Sequence, residues 1–438
     1  MPTALLAGTL CVGGTCLAAD GPPGSGGSIP TRSQLLDQAA RCKQILHTSL
    51  IDFYLPACVD EKNGGYVESL RDGKFAPTGE KFLTLQTRQL WFFSTLAIEG
   101  YERERALAAA KTGFSFLQSK MQDPLNGGYY SKVTDEGVPR DTRKHVYLNS
   151  FALYGLAAYY RATQDPAALD AAKRLFRVLD GRAHDRQEGG YVEFFYTDWE
   201  PVTDSKAEGY VGAIGHKTYN THLHLLESMA ELYRIWPDEV VGRRLQELIT
   251  INTSTVRYPR VESNVDAYLR NWHVVESPQN LRASYGHDVE CAWLTLDAVK
   301  TLGLPADLFR SWAQALCQSS IQFGFDHEHG GFFTSGPLGQ AADDTKKVWW
   351  VQSEALVSML DMFQFTGDRR YYDLFAKTLD FTEQHQVAKE GSWWATRAAD
   401  GSATSDQQRT GPWQGGYHAG RAMILCAKSL ERLAKQSN

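Results

Sequence analysis

The stretch "NGGYVES" at residues 63–69 returns as "NGGYYSK" at 126, "EGGYVEF" at 188, "HGGFFTS" at 329 and, in degenerate form, "GSWWATR" at 391. The first glycines fall at 64, 127, 189, 330 and 391, giving spacings of 63, 62, 141 and 61. The long gap holds two repeats of about 70 residues, which places an eroded sixth copy near residue 260. There "RYPRVESNVDAYL" has lost the glycines and kept aromatic and β-branched residues. Each glycine pair reads as a tight turn leading into a short strand.

Between the turns the chain is helical. "LQTRQLWFFSTLAIEG", "YLNSFALYGLAAYYRAT", "THLHLLESMAELYRIW", "ECAWLTLDAVKTLG", "QSEALVSMLDMFQFTG" and "AGRAMILCAKSLERLA" all carry apolar residues three and four apart. One repeat has room for two helices and a short hairpin, and alone it cannot bury its apolar face. An open α-solenoid uses the same pattern. A ring of six helical hairpins closes on itself and leaves a central cavity, so the expectation is an all-α fold, an (α/α)6 barrel with short β-hairpins in its loops.

The chain has 438 residues and a formal net charge of -6, with no long basic run, which argues against nucleic acid as a partner. Aromatic residues make up 12% of it; flat rings suit sugars as well as gaps between helices. Residues 1–19, "MPTALLAGTLCVGGTCLAA", are apolar, end in small residues and run into the loose "DGPPGSGGS". That pattern is expected for a secretory leader and linker over 1–30, followed by one catalytic domain over 31–438. Export to the periplasm or beyond follows from it, with a cytoplasmic product as the alternative. The first basic residue is Arg32, so the usual positive start of a leader is absent, and glycines break the stretch below a stable membrane span. Beyond the leader Cys42, Cys58, Cys291, Cys317 and Cys426 are odd in number and scattered, without CxxC spacing, and read as small buried residues.

Polar clusters open the helices: Arg88 in LQTRQLW, Arg143, Lys144, His145 and Tyr147 in TRKHVYLNSF, Asn220 to His224 in YNTHLH, His287, Asp288 and Glu290 in SYGHDVECAW, Trp349, Trp350 and Glu354 in VWWVQSEAL, and His418 and Arg421 in GGYHAGRA. One cluster per repeat, at equivalent positions, converges on one end of a ring and marks a candidate active site. In "NTHLHLLE" (220–227) the apolar spacing from Leu225 onward fits a helix with Thr221 or Asn220 as its N-cap. His222 and His224 then point roughly 200° apart. One is expected to face a cavity and the other a neighbouring helix, with no shared metal.

His287 and Glu290, three apart, share a helix face on which the carboxylate can reach the imidazole. A helix N-terminus at His287 disfavours imidazolium, which suits a neutral base. His418 follows glycines that let the backbone approach closely, with Trp413 and Tyr417 placed to stack on a sugar. Arg88 needs an anionic or carbonyl partner, an internal carboxylate such as Glu290 or Glu354 being one candidate. Cys291 in its apolar run reads as packing, and His327 and His329 as surface residues of a turn.

The stretches TRKHVYLNSFALY, NTHLHLLE, YGHDVECAW, WWVQSEAL and GGYHAGR resemble the N-acylglucosamine 2-epimerase family, and within it the cellobiose 2-epimerase branch. The resemblance implies an (α/α)6 barrel, a small sugar as the partner, no cofactor and no metal, and epimerisation at C2 of a reducing-end sugar. It implies that His287 and His418 are general acid/base residues and that Arg88 steadies the enediolate oxygens. Tyr147, Asn220, His224 and Glu290 match supporting polar positions, and Trp350 and Trp413 match sugar-stacking ones; Trp349 and Glu354 join them from the same cluster.

Two departures, the loop KAEGYVGAIGHKTY (206–219) with its extra His216 and Gly416 where a proline is common, are expected where a second sugar would sit. The preferred reading is an epimerase of β-1,4-linked disaccharides, monomeric or homodimeric. Its alternatives are a mannose/glucose 2-epimerase, an aldose–ketose isomerase, or an inverting glycoside hydrolase using Glu290 and Glu354.

Overall fold

The computed structural model describes residues 29–207, 209–258 and 260–436, so most of the expected leader and linker lies outside the described residues. Twelve long helices alternate between an inner and an outer ring. The inner ones are α2 (Leu83–Ile98), α4 (Val146–Thr163), α6 (Tyr219–Ile235), α8 (Tyr285–Thr301), α10 (Trp349–Thr366) and α12 (Tyr417–Gln436). The outer ones are α1 (Arg32–Ile45), α3 (Arg103–Phe116), α5 (Pro166–Val178), α7 (Glu239–Thr250), α9 (Arg310–Gly324) and α11 (Arg369–Phe381).

Sequence explains the division. α5 buries Ala168, Ala171, Ala172, Leu175 and Phe176, a single stripe at helical spacing, and leaves its other face to water. α4 is buried on every side from Val146 to Tyr159, as an inner helix must be. Asp165, Asp238 and Asp368 cap α5, α7 and α11, so the short connections at that pole start their helices cleanly. α12 lies beside both α10 and α2, and α1 packs on α12, so the two ends of the chain supply the sixth hairpin and close the ring.

At the other pole every outer helix leads into a turn closed by one β-bridge. The bridges are Val59 to Tyr66, Gln122 to Tyr129, His184 to Tyr191, Arg257 to Asn264, Phe325 to Phe332 and Val387 to Trp393. The fourth is the sixth copy expected near residue 260. Glycines at the turns take φ of 68 to 83° where two occur in succession, as at Gly64, Gly65, Gly189 and Gly190.

Five of the inner helices grip the turn before them. Gln86 accepts from the Tyr66 amide at 2.8 Å, Asn149 from Tyr129 at 2.9 Å, His222 Nε2 from Tyr191 at 2.9 Å, Asp288 from Asn264 at 3.2 Å and Gln352 from Phe332 at 2.8 Å. All five are the fourth residue of their helix. His222 therefore does the work of a glutamine elsewhere in the ring; its Nδ1–H donates to Thr218 O at 2.7 Å, which fixes a neutral tautomer. The helix begins at Tyr219 with Thr218 as N-cap, earlier than the apolar spacing indicated, because Thr218 Oγ1 accepts from Thr221 N and the polar residues before Leu225 are buried.

A lysine just before the inner helix adds a second tie in four repeats. Lys81, Lys144, Lys217 and Lys347 pair with Asp60, Asp123, Asp185 and Asp326 at 2.7, 2.9, 3.1 and 2.7 Å, with each lysine side chain no more than 2% exposed. Replacing Lys144 with Met leaves Asp123 buried and uncompensated. We expect a loss of roughly 3–5 kcal/mol in urea unfolding. Lys132→Met, at an exposed pair with Glu80, should cost less than about 1 kcal/mol; equal losses would mean the buried pairs do not hold the turns.

Candidate active site

Two positions after each turn-gripping residue, the helix faces the axis. Those residues are Arg88, Phe151, His224, Glu290 and Glu354. On a helix a two-residue step turns by roughly 200°, so His222 looks outward and His224 inward. The second residue of the helix also faces the polar end of the cavity, giving Tyr147, Asn220, Trp350 and His418.

Arg88 donates from one terminal nitrogen to Trp413 O at 2.7 Å and from the other to the Tyr147 hydroxyl at 3.0 Å. Its guanidinium lies 4.2 Å from the centre of the Phe151 ring. No carboxylate pairs with it among the described residues, so its charge is not spent on Glu290 or Glu354. Those two carboxylates belong instead to Arg421, which donates to Glu290 Oε1 at 2.9 Å and Glu354 Oε1 at 2.8 Å and also pairs with Glu227.

The histidines are held differently. His224 Nδ1–H donates to Glu227 Oε2 at 2.9 Å. Burial alone would raise the Glu227 carboxyl, but Arg421, His224 and the Tyr417 hydroxyl lower it to about 2. His418 Nδ1–H donates to Glu354 Oε1 at 2.6 Å. Burial, with Arg88 and Arg421 nearby, holds its imidazolium form well below the ordinary histidine range. His287 is the third residue of α8, and its ring makes no hydrogen bond among the described residues. Burial first and His224 second lower it to about 3, against an opposing pull from Glu354. Trp350 joins the pair, its ring centre 4.6 Å from that of His287 and 6.0 Å from that of His418.

Several sequence expectations change here. Glu290 does not reach His287; it turns to Arg421, while the same three-residue step does join His224 to Glu227. Tyr417 is fully buried and donates to Glu227 at 2.6 Å, so it is part of the floor and offers no face to a sugar. Trp413, by contrast, is 36% exposed and meets Phe82 edge-on. Trp350, not Trp349, makes the ring contacts with the histidines. Gly416 does not line the space for a second sugar, because its N–H donates to Gln89 at 2.8 Å and a Cβ there would meet Phe92 at 2.3 Å.

Asn220 keeps a buried Oδ1 without a protein donor among the described residues, an acceptor free for a hydroxyl. The glycine-bearing loop docks at the rim: Tyr210 donates to Asp141, packs 5.1 Å from Phe82, and Val211 O accepts from His145 Nε2 at 3.2 Å. Cys291 is buried and its thiol is pushed up to about 12 by that burial, which leaves it no role as a nucleophile.

Sequence reasoning set Arg421 in a polar cluster without a partner, read Tyr417 as a sugar-stacking ring and gave Glu227 no role. A signal was present: His224 and Glu227, His287 and Glu290, and His418 and Arg421 share one spacing. Glu290, Glu354 and His418 could in principle hold a cation, their nearest atoms all lying within 4.8 Å. The Arg421 guanidinium already fills the place between the two carboxylates, and a metal would have to displace it.

The N-acylglucosamine 2-epimerase (GlcNAc 2-epimerase) family pattern matches residues 64–422. Cellobiose 2-epimerase of Bacteroides fragilis is 31% identical over 384 residues, 86% of this chain and 96% of that protein. Cellobiose 2-epimerase of Ruminococcus albus is 30% identical over 381 residues, 85% of this chain and 93% of that protein. The solved structure of cellobiose 2-epimerase from Bacillus thermoamylovorans superposes with a TM-score of 0.82 at 28% identity, covering 90% of this chain and 99% of that one. A ring of six hairpins with its histidines, arginine and tryptophan at one pole, matched along nearly all of its length, belongs to the N-acylglucosamine 2-epimerase family, and the chain is a carbohydrate epimerase.

Proposed function

We propose that the enzyme inverts C2 of the reducing-end sugar of β-1,4-linked disaccharides, cellobiose to glucosyl-mannose and also mannobiose, through a cis-enediolate. The observation that supports this best is a pair of neutral histidines, His287 and His418, both in ring contact with Trp350, beside an arginine with no carboxylate partner. The named relatives are cellobiose 2-epimerases, which supports the first of these substrates.

Inversion at C2 requires the sugar ring to open, a proton to leave the carbon next to the carbonyl, and a proton to return on the opposite face. One neutral histidine takes the first proton; the other, having gained a proton from solvent, supplies the second and returns to neutral, and the first then releases its proton to solvent, which needs no cofactor. Arg88, fixed by Tyr147 and the Trp413 carbonyl, supplies positive charge where the oxyanion develops. A proton returned to C1 instead yields the ketose.

A monosaccharide reading has one observation in its favour, Tyr210 packed on Phe82 beside Trp413, which narrows the rim. A hydrolase reading fares worse. An inverting hydrolase needs carboxylates about 6.5–9.5 Å apart across a water, whereas Glu290 and Glu354 are fully buried and share one guanidinium.

The deciding assay incubates the protein with cellobiose, mannobiose, mannose, glucose and N-acetylmannosamine in deuterated water and follows C2 by NMR. We expect deuterium at C2 together with the epimer, fastest on a disaccharide, and a fall on the order of 10²- to 10⁴-fold in His287→Ala and His418→Ala. Faster turnover of mannose would favour the monosaccharide reading, and bond cleavage without exchange would end the epimerase one.

Gly286 tests the tryptophan's part, since a Cβ there would meet the Trp350 ring at 2.5 Å. Gly286→Ala should therefore lower kcat/KM on the order of 10- to 100-fold by displacing that ring, with the circular dichroism spectrum unchanged. Full activity would remove Trp350 from the substrate's path.

We also propose that residues 1–19 are a leader, that a linker follows to residue 30, and that residues 31–438 are one catalytic domain acting outside the cytoplasm. N-terminal sequencing of exported protein should start after residue 19; recovery of the full-length chain from the cytoplasm alone would refute export.

A further inference from the structure

Three carboxylates from three helices converge on Arg421: Glu227 from α6, Glu290 from α8 and Glu354 from α10. Arg421 is 2% exposed and Glu290 and Glu354 are wholly buried. One guanidinium neutralises one carboxylate, so the cluster cannot bury all three in ionised form without a large cost.

The three are not equally served. Glu227 has Arg421, His224 Nδ1–H and the Tyr417 hydroxyl. Glu354 has Arg421 and His418 Nδ1–H on Oε1, and the Trp293 indole N–H on Oε2 at 3.1 Å. Glu290 has Arg421 on Oε1 alone, and its Oε2 is buried with no partner among the described residues. A bare oxygen costs an ionised carboxylate far more than it costs a neutral acid.

We infer that Glu290 keeps its proton at neutral pH, a neutral carboxylic acid that positions Arg421 while holding the net charge of the site at zero. Among the described residues, His418 on α12, whose ring lies within 4.8 Å of the carboxylate, and His224 on α6 are both lowered by burial and supply no second cation. Tyr147 on α4 and Tyr417 on α12 are phenols raised by burial, and His287 and Cys291 on its own helix are neutral. Burial and then Glu354 push the Glu290 carboxyl well above the ordinary range, with Glu227 adding to them and Arg421 opposing.

The charge count gives the proton a purpose. With it in place, Glu227 and Glu354 balance Arg421 and Arg88, and moving a proton from the neutral sugar to a histidine leaves that total unchanged. Without it, the site is negative before the reaction starts. This consequence rests on the epimerase reading; the proton itself does not.

Infrared difference spectra at neutral pD, taken without sugar, test the proton directly. The C=O band of a protonated carboxyl should be present in wild type and lost in Glu290→Gln. It should persist in Glu354→Gln, because Glu227 still balances Arg421 there. Absence of a band difference between wild type and Glu290→Gln would overturn the proposal, and so would loss of the band in Glu354→Gln, which would put the proton on Glu354. The amide bands report folding in the same spectra, and Glu290→Met replaces the glutamine variant should that one not fold. In catalysis, wild-type kcat/KM should fall about tenfold per pH unit once this group deprotonates, and Glu290→Gln should lack that fall; an unchanged alkaline limb counts against the role. Inactivity on every sugar, with the infrared result as expected, would strike the epimerase reading alone.

Discussion

Residues two apart on an α-helix point to nearly opposite sides, and five inner helices of this ring use that step at the same place. The fourth residue reaches out to the glycine turn behind it, and the sixth reaches the axis. Position and chemistry are thereby coupled. The turn is held through its backbone amide, so the helix cannot rotate or slide without breaking that bond, and the axial residue inherits the same restraint. Arg88, His224, Glu290 and Glu354 are aimed by hydrogen bonds made on the far side of their own helices.

At the axis the restraint is electrostatic. Arg421 ties α12 to α6, α8 and α10 through charge-assisted bonds in a region that water does not reach. The second arginine, Arg88, is kept out of this cluster by Tyr147 and the Trp413 carbonyl, which are neutral. Two guanidiniums in one barrel thus perform separate tasks. One is spent on internal carboxylates; the other is held by neutral partners.

The ring, its six repeats and the polar pole were legible because they rest on periodic signals: glycine pairs, apolar spacing and a polar cluster at each helix start. Even the copy without glycines could be located, since the interval around it is set by two flanking repeats. The distinction between His222 and His224 was legible in kind, because it needs only helix geometry. Partners across the barrel were not. Nothing local says that Arg421 rather than Arg88 meets Glu290 and Glu354, since that depends on which helices stand opposite each other and on how far α12 is advanced. Tyr417 was misread for the same reason, an aromatic next to a functional histidine being as able to face the floor as the opening.

The sixth helix shows how such an advance arises. At the fourth and sixth positions of α12, where other inner helices carry their turn-gripping and axial residues, stand Gly420 and Ala422. A Cβ at Gly420 would meet the Phe92 ring at 2.4 Å, and one at Gly416 at 2.3 Å, so these glycines let α12 press against α2 where the ring closes. With the backbone that close, the regular pair of positions is not needed to hold the helix. Gln414, ahead of the helix, holds the turn instead by donating to Trp393 O at 2.8 Å. Freed from the repeat, α12 presents the second and fifth residues, His418 and Arg421, to the axis. His418 and Arg421, the central cation of the carboxylate cluster, therefore both sit on the one inner helix that departs from the pattern, and the close contact with Phe92 is what permits the departure.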